Sequence, residues 1–292
     1  MYFRIVLFLT MTRSPDRLLM KRPLNITSRT VLRNFAILCI LAFAFGLASV
    51  SGALSAEAPT KLSVTPRILA FQPGETLKYN VSWSNIITAG TMTMEVKGKT
   101  LPDGKRVLEF IVTGHSAGLV GSLYSVTETA LSVFDPLVMQ SLSYSLKEKY
   151  GKKERKRVVV FDRAQKTVIS TLNNDPPATL DVPEQVQDGL SSLYYLRTRE
   201  DLETGKTIVI DVLDSEKNWS VEFQVLGREK LKTLVGEFPT IKVRTYPKYK
   251  GVFMNKGEVF IWLTDDSRKV PVLMKSHLKV GSFVLTLTEM NL

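Results

Sequence analysis

Residues Glu75–Asn85 read ETLKYNVSWSN. Leu77, Tyr79, Val81 and Trp83 fall on one side of this stretch, and the polar residues between them fall on the other. Such alternation marks a strand with one buried face. The pattern recurs along the chain. AGTMTMEVKGK places Met92, Met94 and Val96 on one side. KRVLEFIVTG, SVTETALSVFD, QSLSYSLKEK, RKRVVVFD and KTVISTL continue it. KTIVIDVLD, WSVEFQVLGREKLKT, PTIKVRTYP, GEVFIWLT, VPVLMKSHLKV and SFVLTLTEM carry it to the end. The turn signals PDGK, FDP, NNDPP, TGK, LVGEFP and TDDSRK separate these runs. Many short strands at near-regular spacing predict an all-β, mainly antiparallel sandwich or barrel. Strands and helices do not alternate, which argues against a parallel α/β sheet.

One segment departs from the period of two. DVPEQVQDGLSSLYYLRTRE predicts a helix over 183–200, with Asp181 as N-cap, Pro183 in the first turn and Glu184 in the capping-box position. Val186, Leu190, Leu193, Tyr194 and Arg197 then share one face. A lone amphipathic helix among strands plugs or covers one end of the sheet; the alternative is a mobile lid over a cavity.

The N-terminus stands apart. From Asn34 to Ala56 no residue is charged, Lys21, Arg22, Arg29 and Arg33 precede the run, and small residues, SGALSA, end it. This is the pattern of a secretory signal peptide, with Met20 a better start than Met1 and cleavage after Ala53 or Ala56. The alternative is an uncleaved anchor, since the run is long enough to span a bilayer. Either way the rest of the chain is exported, to a bacterial periplasm, free or facing it from the inner membrane. The organisation read from the sequence is an extension and signal peptide over 1–56, an extended lead-in over 57–73 and a single β-rich domain over 74–292. Cys39, the one cysteine, lies inside the apolar run. The mature chain therefore has no thiol for a disulfide, a nucleophile or a Cys-based metal site.

The whole chain has 39 Lys+Arg and 28 Asp+Glu. After the apolar run the basic excess concentrates in KEKYGKKERKR, where Lys147, Lys149, Lys152, Lys153, Arg155, Lys156 and Arg157 face two acids. The rest is balanced, which does not suit a nucleic-acid-binding protein. The bland reading of this hairpin is a solvated edge protected by lysines. The functional reading is a contact for anionic headgroups, a phosphorylated glycolipid or a protein partner. KVRTYPKYKGVFMNKG is a second basic-aromatic stretch, with Lys242, Arg244, Lys248, Lys250 and Lys256 beside Tyr246, Tyr249 and Phe253.

Several stretches together resemble an exported bacterial family, domain of unknown function 3108. They are GETLKYNVSWSNIITAGTMTMEV, VVVFDRAQKTV, VQDGLSSLYYLR, GREKLKTLVGEFPTIKV and WLTDDSRKVPVLMK. The resemblance spans Gly74 to Glu289. It implies an envelope-exposed, β-rich fold with a curved or barrel-like sheet, and it brings no established activity and no catalytic residues.

TGHSAG, Thr113–Gly118, spells the G-x-S-x-G elbow of serine hydrolases, and Asp265 and His277 follow in the order such enzymes use. The motif needs an entering strand and a leaving helix. A strand enters, but the following LVGSLYSVTETALSVFD turns back to strand pattern. His277 stands between Lys275 and Lys279 on the polar side of its strand, where no carboxylate orients it. Asp265 and Asp266 suit a hairpin turn. His115 and His277 alone make a poor zinc site, and Asp175 alone a poor calcium site. Trp83, Met92, Met94, Phe110, Phe223, Phe260 and Trp262 read as core, or as cavity lining if the sheet does not close tightly. The resulting expectation is a non-enzymatic periplasmic envelope protein, without a cofactor, that binds a lipid or another apolar component. A protein-binding scaffold is the alternative, and an exported serine hydrolase using Ser116 the weaker one. Membrane contact would be peripheral once the signal peptide is removed.

Overall fold

Alternation in the sequence becomes a ladder in space. The computed structural model describes residues 69–123, 125–249, 252–253, 258–278 and 281–292. The apolar run read as a signal peptide, the cleavage positions read after Ala53 or Ala56, Lys250 and Lys256 lie outside the described residues. The first strands are β1 (Thr76–Trp83), β2 (Ile87–Thr100) and β3 (Arg106–Ser116). A short helix α1 (Gly118–Leu123) precedes β4 (Val126–Asp135), β5 (Gln140–Tyr150), β6 (Lys153–Asp162), β7 (Thr167–Leu172), β8 (Ala178–Asp181) and β9 (Gln187–Asp188). Helix α2 (Gly189–Arg197) follows. The return half is β10 (Thr207–Asp214), β11 (Lys217–Thr233), β12 (Gly236–Tyr249), β13 (Val252–Phe253), β14 (Glu258–Thr264), β15 (Pro271–Leu278) and β16 (Gly281–Asn291).

Pairing is antiparallel throughout, except that β9 lies parallel to β10. The strand order is β8-β7-β6-β5-β4-β3-β2-β1-β16-β15-β14-β12-β11-β10-β9, with β13 beside β12. The chain therefore starts in the middle, meanders out to β8, crosses through α2 to the far side and meanders back until β16 meets β1. Leu77, Tyr79 and Val81 of β1 are buried, as are Met92, Met94 and Val96 of β2. Leu69 to Pro73, read as lead-in, buries Ala70 and Phe71.

The expectation of a curved or barrel-like sheet is corrected. The ladder is an open path, not a sheet closed into a barrel, because its two terminal strands do not pair with each other. β9 has two residues, and the second of them, Asp188, is committed as the N-cap of α2. β8 has four residues after the Pro176–Pro177 pair and hydrogen-bonds to β7. Side chains, not backbone pairing, join these ends. Val159, Phe161, Val168, Val182, Val186 and Leu213 form a small apolar cluster there, and Asn218 Nδ2 donates to the Asp181 carbonyl at 2.8 Å.

The helix is also shorter than the sequence pattern predicts. Asp181 ends β8 and is not the cap. Val182 N–H donates to Lys166 O at 2.9 Å, which pins the following segment in extended form. Asp188 caps instead. Its carboxylate accepts from the N–H groups of Leu190 and Ser191, and the Ser191 hydroxyl accepts from the Asp188 N–H in return. Val186, placed on the helix face by the pattern, lies ahead of the helix in the small cluster.

The inner face and α2 share one core. Tyr194 stacks on Phe110 with centroids 3.8 Å apart and planes 7° from parallel, and Phe71 meets both rings edge-on. Such pairs add about 1 kcal/mol each beyond their buried area.

Candidate functional site

A cavity of about 60 Å³ lies between α2 and the inner sheet face. Met92, Met94, Leu146, Leu190, Leu193 and Met274 supply much of its apolar wall. Arg157, Glu128, Asp214 and Glu216 are its charged lining residues. The free space holds roughly four waters or the end of an apolar chain, well below the several hundred Å³ of a site that encloses a whole small ligand. Methionines are unbranched and adaptable, so three of them make this wall easier to deform than a wall of leucines and valines alone.

One of these charges, Arg157, comes from the basic hairpin; Glu128 comes from β4, Asp214 from the end of β10 and Glu216 from the β10–β11 turn. Period two sends alternate residues to opposite faces. Lys147, Lys149 and Lys156 point out, while Glu148 and Arg157 are buried and Arg155 is half-buried. Lys152 sits in the exposed turn and exposed Lys153 follows it. Arg157 Nη1 donates to Glu216 Oε1 at 2.7 Å and to Ser170 Oγ at 3.1 Å. Tyr150 donates to Glu148 at 2.7 Å, and outside, Lys147 pairs with Glu154 at 3.1 Å. The hairpin is not a sheet edge, because β7 and β8 continue beyond it. Glu216 sits in a tight turn in which Ser215 and Glu216 have φ of 48° and 63°, the left-handed pair of a hairpin turn.

The segment read as a lid is fastened at both ends. At its start, Ser132 and Ser141 hydroxyls donate to Asp188 Oδ2 at 2.6 and 2.5 Å. Burial pushes the Asp188 carboxyl above its ordinary value, although these bonds pull the other way. Arg163 donates to the carbonyls of Ser141 and Val186 nearby, and burial lowers its guanidinium to about 10. At its end, Arg197 makes a bidentate pair with Glu75 and donates to the carbonyls of Ala70 and Arg268. Leu190, Leu193, Tyr194 and Arg197 are all buried.

The hydrolase triad does not assemble. A helix does leave the GHSAG strand, contrary to the sequence pattern, but α1 has six residues. Ser116 is not among the residues with positive φ, and its Oγ accepts from Val126 N–H at 2.8 Å. β3 and β15 are separated by β2, β1 and β16. Ser116 and His277 are thus four strand spacings apart, roughly 19 Å along the sheet. His277 stands edge-on to Phe260, near the end of β15, whereas Asp265 precedes the start of that strand and accepts from Arg228 at 2.8 Å. Six strand residues separate those ends, roughly 20 Å. Among the described residues no His, Cys, Asp and Glu grouping could hold a metal ion.

On the outer face, a second concavity of about 610 Å³ is open to solvent. The tip of the β11–β12 hairpin (Leu231, Lys232, Thr233, Leu234) forms one wall. Trp262, Leu273, Lys275, Val284 and Thr286 line the remainder, with Asn85 of the β1–β2 turn. Lys242 lies 4.9 Å from the Trp262 ring centroid and 5.9 Å from that of Phe260, and Arg244 lies 4.4 Å over Tyr246, so much of the second basic-aromatic stretch is one face of β12 packed on its neighbours.

Sequence reasoning missed Glu75, Glu128, Arg163, Asp188 and Glu216. The spacing Asp188–Ser191 matches a capping box and could have flagged the first turn. The others carry no local signal, since their partners are far along the chain.

No curated protein matches the sequence. Among solved structures, the chain is similar to a beta-barrel-like protein of domain of unknown function DUF1849 from Brucella abortus. The TM-score is 0.52 at 12% identity, over 74% of this chain and 96% of that one. The likeness is one of fold. A candidate lipoprotein from Parabacteroides distasonis (TM-score 0.36, 11% identity, 78% and 100% covered) and a candidate exported protein from Bacteroides fragilis (0.31, 11%, 76% and 97%) are too remote to argue from. The family model described as Protein of unknown function (DUF3108) matches residues 78–288, most of the ladder from β1 to β16, and the chain belongs to that family.

Proposed function

We propose that this is an exported, non-enzymatic envelope protein that holds the end of an apolar chain in the cavity beneath α2. One observation carries the reading: an apolar, methionine-rich cavity whose charged lining residues include Arg157 and Glu216. An amphiphile fits that division, with its tail end among Met92, Met94 and Leu193 and its polar group toward Arg157. Export is supported by the basic, apolar and small-residue order of the N-terminal sequence.

The test is titration with cis-parinaric acid, a fluorescent fatty acid, followed by mass spectrometry of an organic extract of the purified chain. Saturable binding near one per chain, reduced by Leu190→Phe with the fold intact by circular dichroism, supports the reading. No saturable binding, or binding indifferent to Leu190→Phe, ends it.

A protein-binding scaffold is the second reading, favoured by the edge of β10. β9 covers Val212 and Leu213, and among the described residues Thr207–Asp211 pairs on one side alone, with Val209 exposed. Such an edge is a template for a partner strand. Loss of a cross-linked envelope partner on Val209→Lys would favour it.

A further inference from the structure

The outer groove differs from the cavity in size, access and charge. Its lining is largely apolar: Trp262, Leu273 and Val284 on the sheet, with Leu231 and Leu234 in the hairpin wall. Its charged lining residues are Lys232 and Lys275, and no acid lines it. Glu237 lies opposite Lys232 in the hairpin and offsets part of that charge. Lys275 has Phe260 and Val284 as its cross-strand neighbours, so its charge is not offset there.

The groove is rimmed by two bare aliphatic tips. Ile86 and Leu234, 86% and 82% exposed, are the two most exposed large apolar side chains among the described residues. Leu234 lines the groove itself, and Ile86 follows the groove-lining Asn85. Each sits in a hairpin turn, between β1 and β2 or between β11 and β12. An aliphatic side chain left in water at a turn tip gains nothing from folding; placed in an acyl layer it gains roughly 2 kcal/mol. Two such tips beside lysines combine apolar insertion with attraction to anionic headgroups.

We infer that this end of the outer face docks on an anionic lipid surface, with Ile86 and Leu234 entering the acyl boundary and Lys232 and Lys275 meeting headgroup phosphates. The site is separate from the cavity beneath α2 and does not depend on the cavity's occupant.

The test is hydrogen exchange of the full chain on vesicles of phosphatidylcholine, with and without phosphatidylglycerol. The readout is local, so any contribution of the N-terminal apolar run to binding is common to every variant. Docking predicts severalfold slower exchange of residues 83–87 and 231–236 on the phosphatidylglycerol vesicles. Leu234→Asp removes the protection, and Lys275→Gln weakens it by roughly fivefold, the share of one lysine at an anionic surface. Exchange across β3–β5 stays unchanged, which shows that both variants fold. The inference is overturned if the two segments exchange as in solution, if phosphatidylcholine alone protects them equally, or if protection survives Leu234→Asp.

Discussion

Arg197 Nη1 lies 2.7 Å from Glu75 Oε1, although the two residues are 122 apart in the chain and both are buried. Burial works against the guanidinium charge, but Glu75's hydrogen bonds and charge outweigh it and hold Arg197 above its ordinary value. The pair ties the end of α2 to the start of β1. Arg197→Met strands a buried carboxylate and should cost about 4 kcal/mol. Adding Glu75→Leu removes that orphan and should restore most of the loss. Urea unfolding of both variants checks this; a double variant no more stable than Arg197→Met would show that the charge itself is required.

Tyr194 Oη is buried and has no hydrogen-bond partner among the described residues. Burial raises its hydroxyl well above the ordinary tyrosine value. Its ring does the packing, stacked on Phe110. Tyr194→Phe keeps the stack and deletes the orphaned hydroxyl, so stability should rise by about 1 kcal/mol. Tyr194→Ala loses the stack and should cost about 4 kcal/mol. A fall in melting temperature for Tyr194→Phe would mean that the hydroxyl has a partner.

These two residues show how far the sequence can be read. Leu77, Tyr79 and Val81 declare their face locally, because strand period needs two neighbours and nothing else. Whether a row of strands closes is a property of its ends, and no stretch of alternation encodes it; the barrel expectation failed there. Asp181 and Asp188 both look like helix caps. The choice is made by Ser132 and Ser141, 56 and 47 residues from Asp188, whose hydroxyls meet the second carboxylate. Arg157 reads as one more surface cation until Ser170 arrives from β7 and Glu216 from the β10–β11 turn. The cavity wall could be named from alternation, but its charged lining could not.

Asp188 makes the stability pH-dependent. Burial raises its folded-state value above the unfolded one, near 4 for an aspartate. A raised carboxyl favours folding when protonated. Its contribution is therefore fully present below the unfolded value and is lost as pH rises through the folded one. Asp188→Asn keeps an acceptor for the Leu190 and Ser191 N–H groups, while the Ser132 and Ser141 hydroxyls rotate to accept. It should stay within about 1 kcal/mol of the parent and flatten the stability profile above pH 4. Asp188→Ala leaves two buried hydroxyls and two helix N–H groups without acceptors and should cost about 3 kcal/mol. Melting curves from pH 4 to 8 separate these outcomes; a slope unchanged in Asp188→Asn would place the titration elsewhere.

Ser116 separates a turn hydroxyl from a nucleophile. Its Oγ accepts from Val126 N–H across the α1 excursion, and so closes the path from β3 to β4. Ser116→Ala leaves that N–H without its acceptor, which should cost about 1 kcal/mol while leaving parinaric acid binding intact. A nucleophile needs its base within about 3 Å, and His277 is held edge-on to Phe260 several strands away. A fluorophosphonate probe should therefore leave the chain unlabelled. Labelling that Ser116→Ala abolishes would require a base other than His277. His115, the adjacent residue, whose Nδ1 lies 3.4 Å from Thr127 Oγ1, would then be the first to substitute.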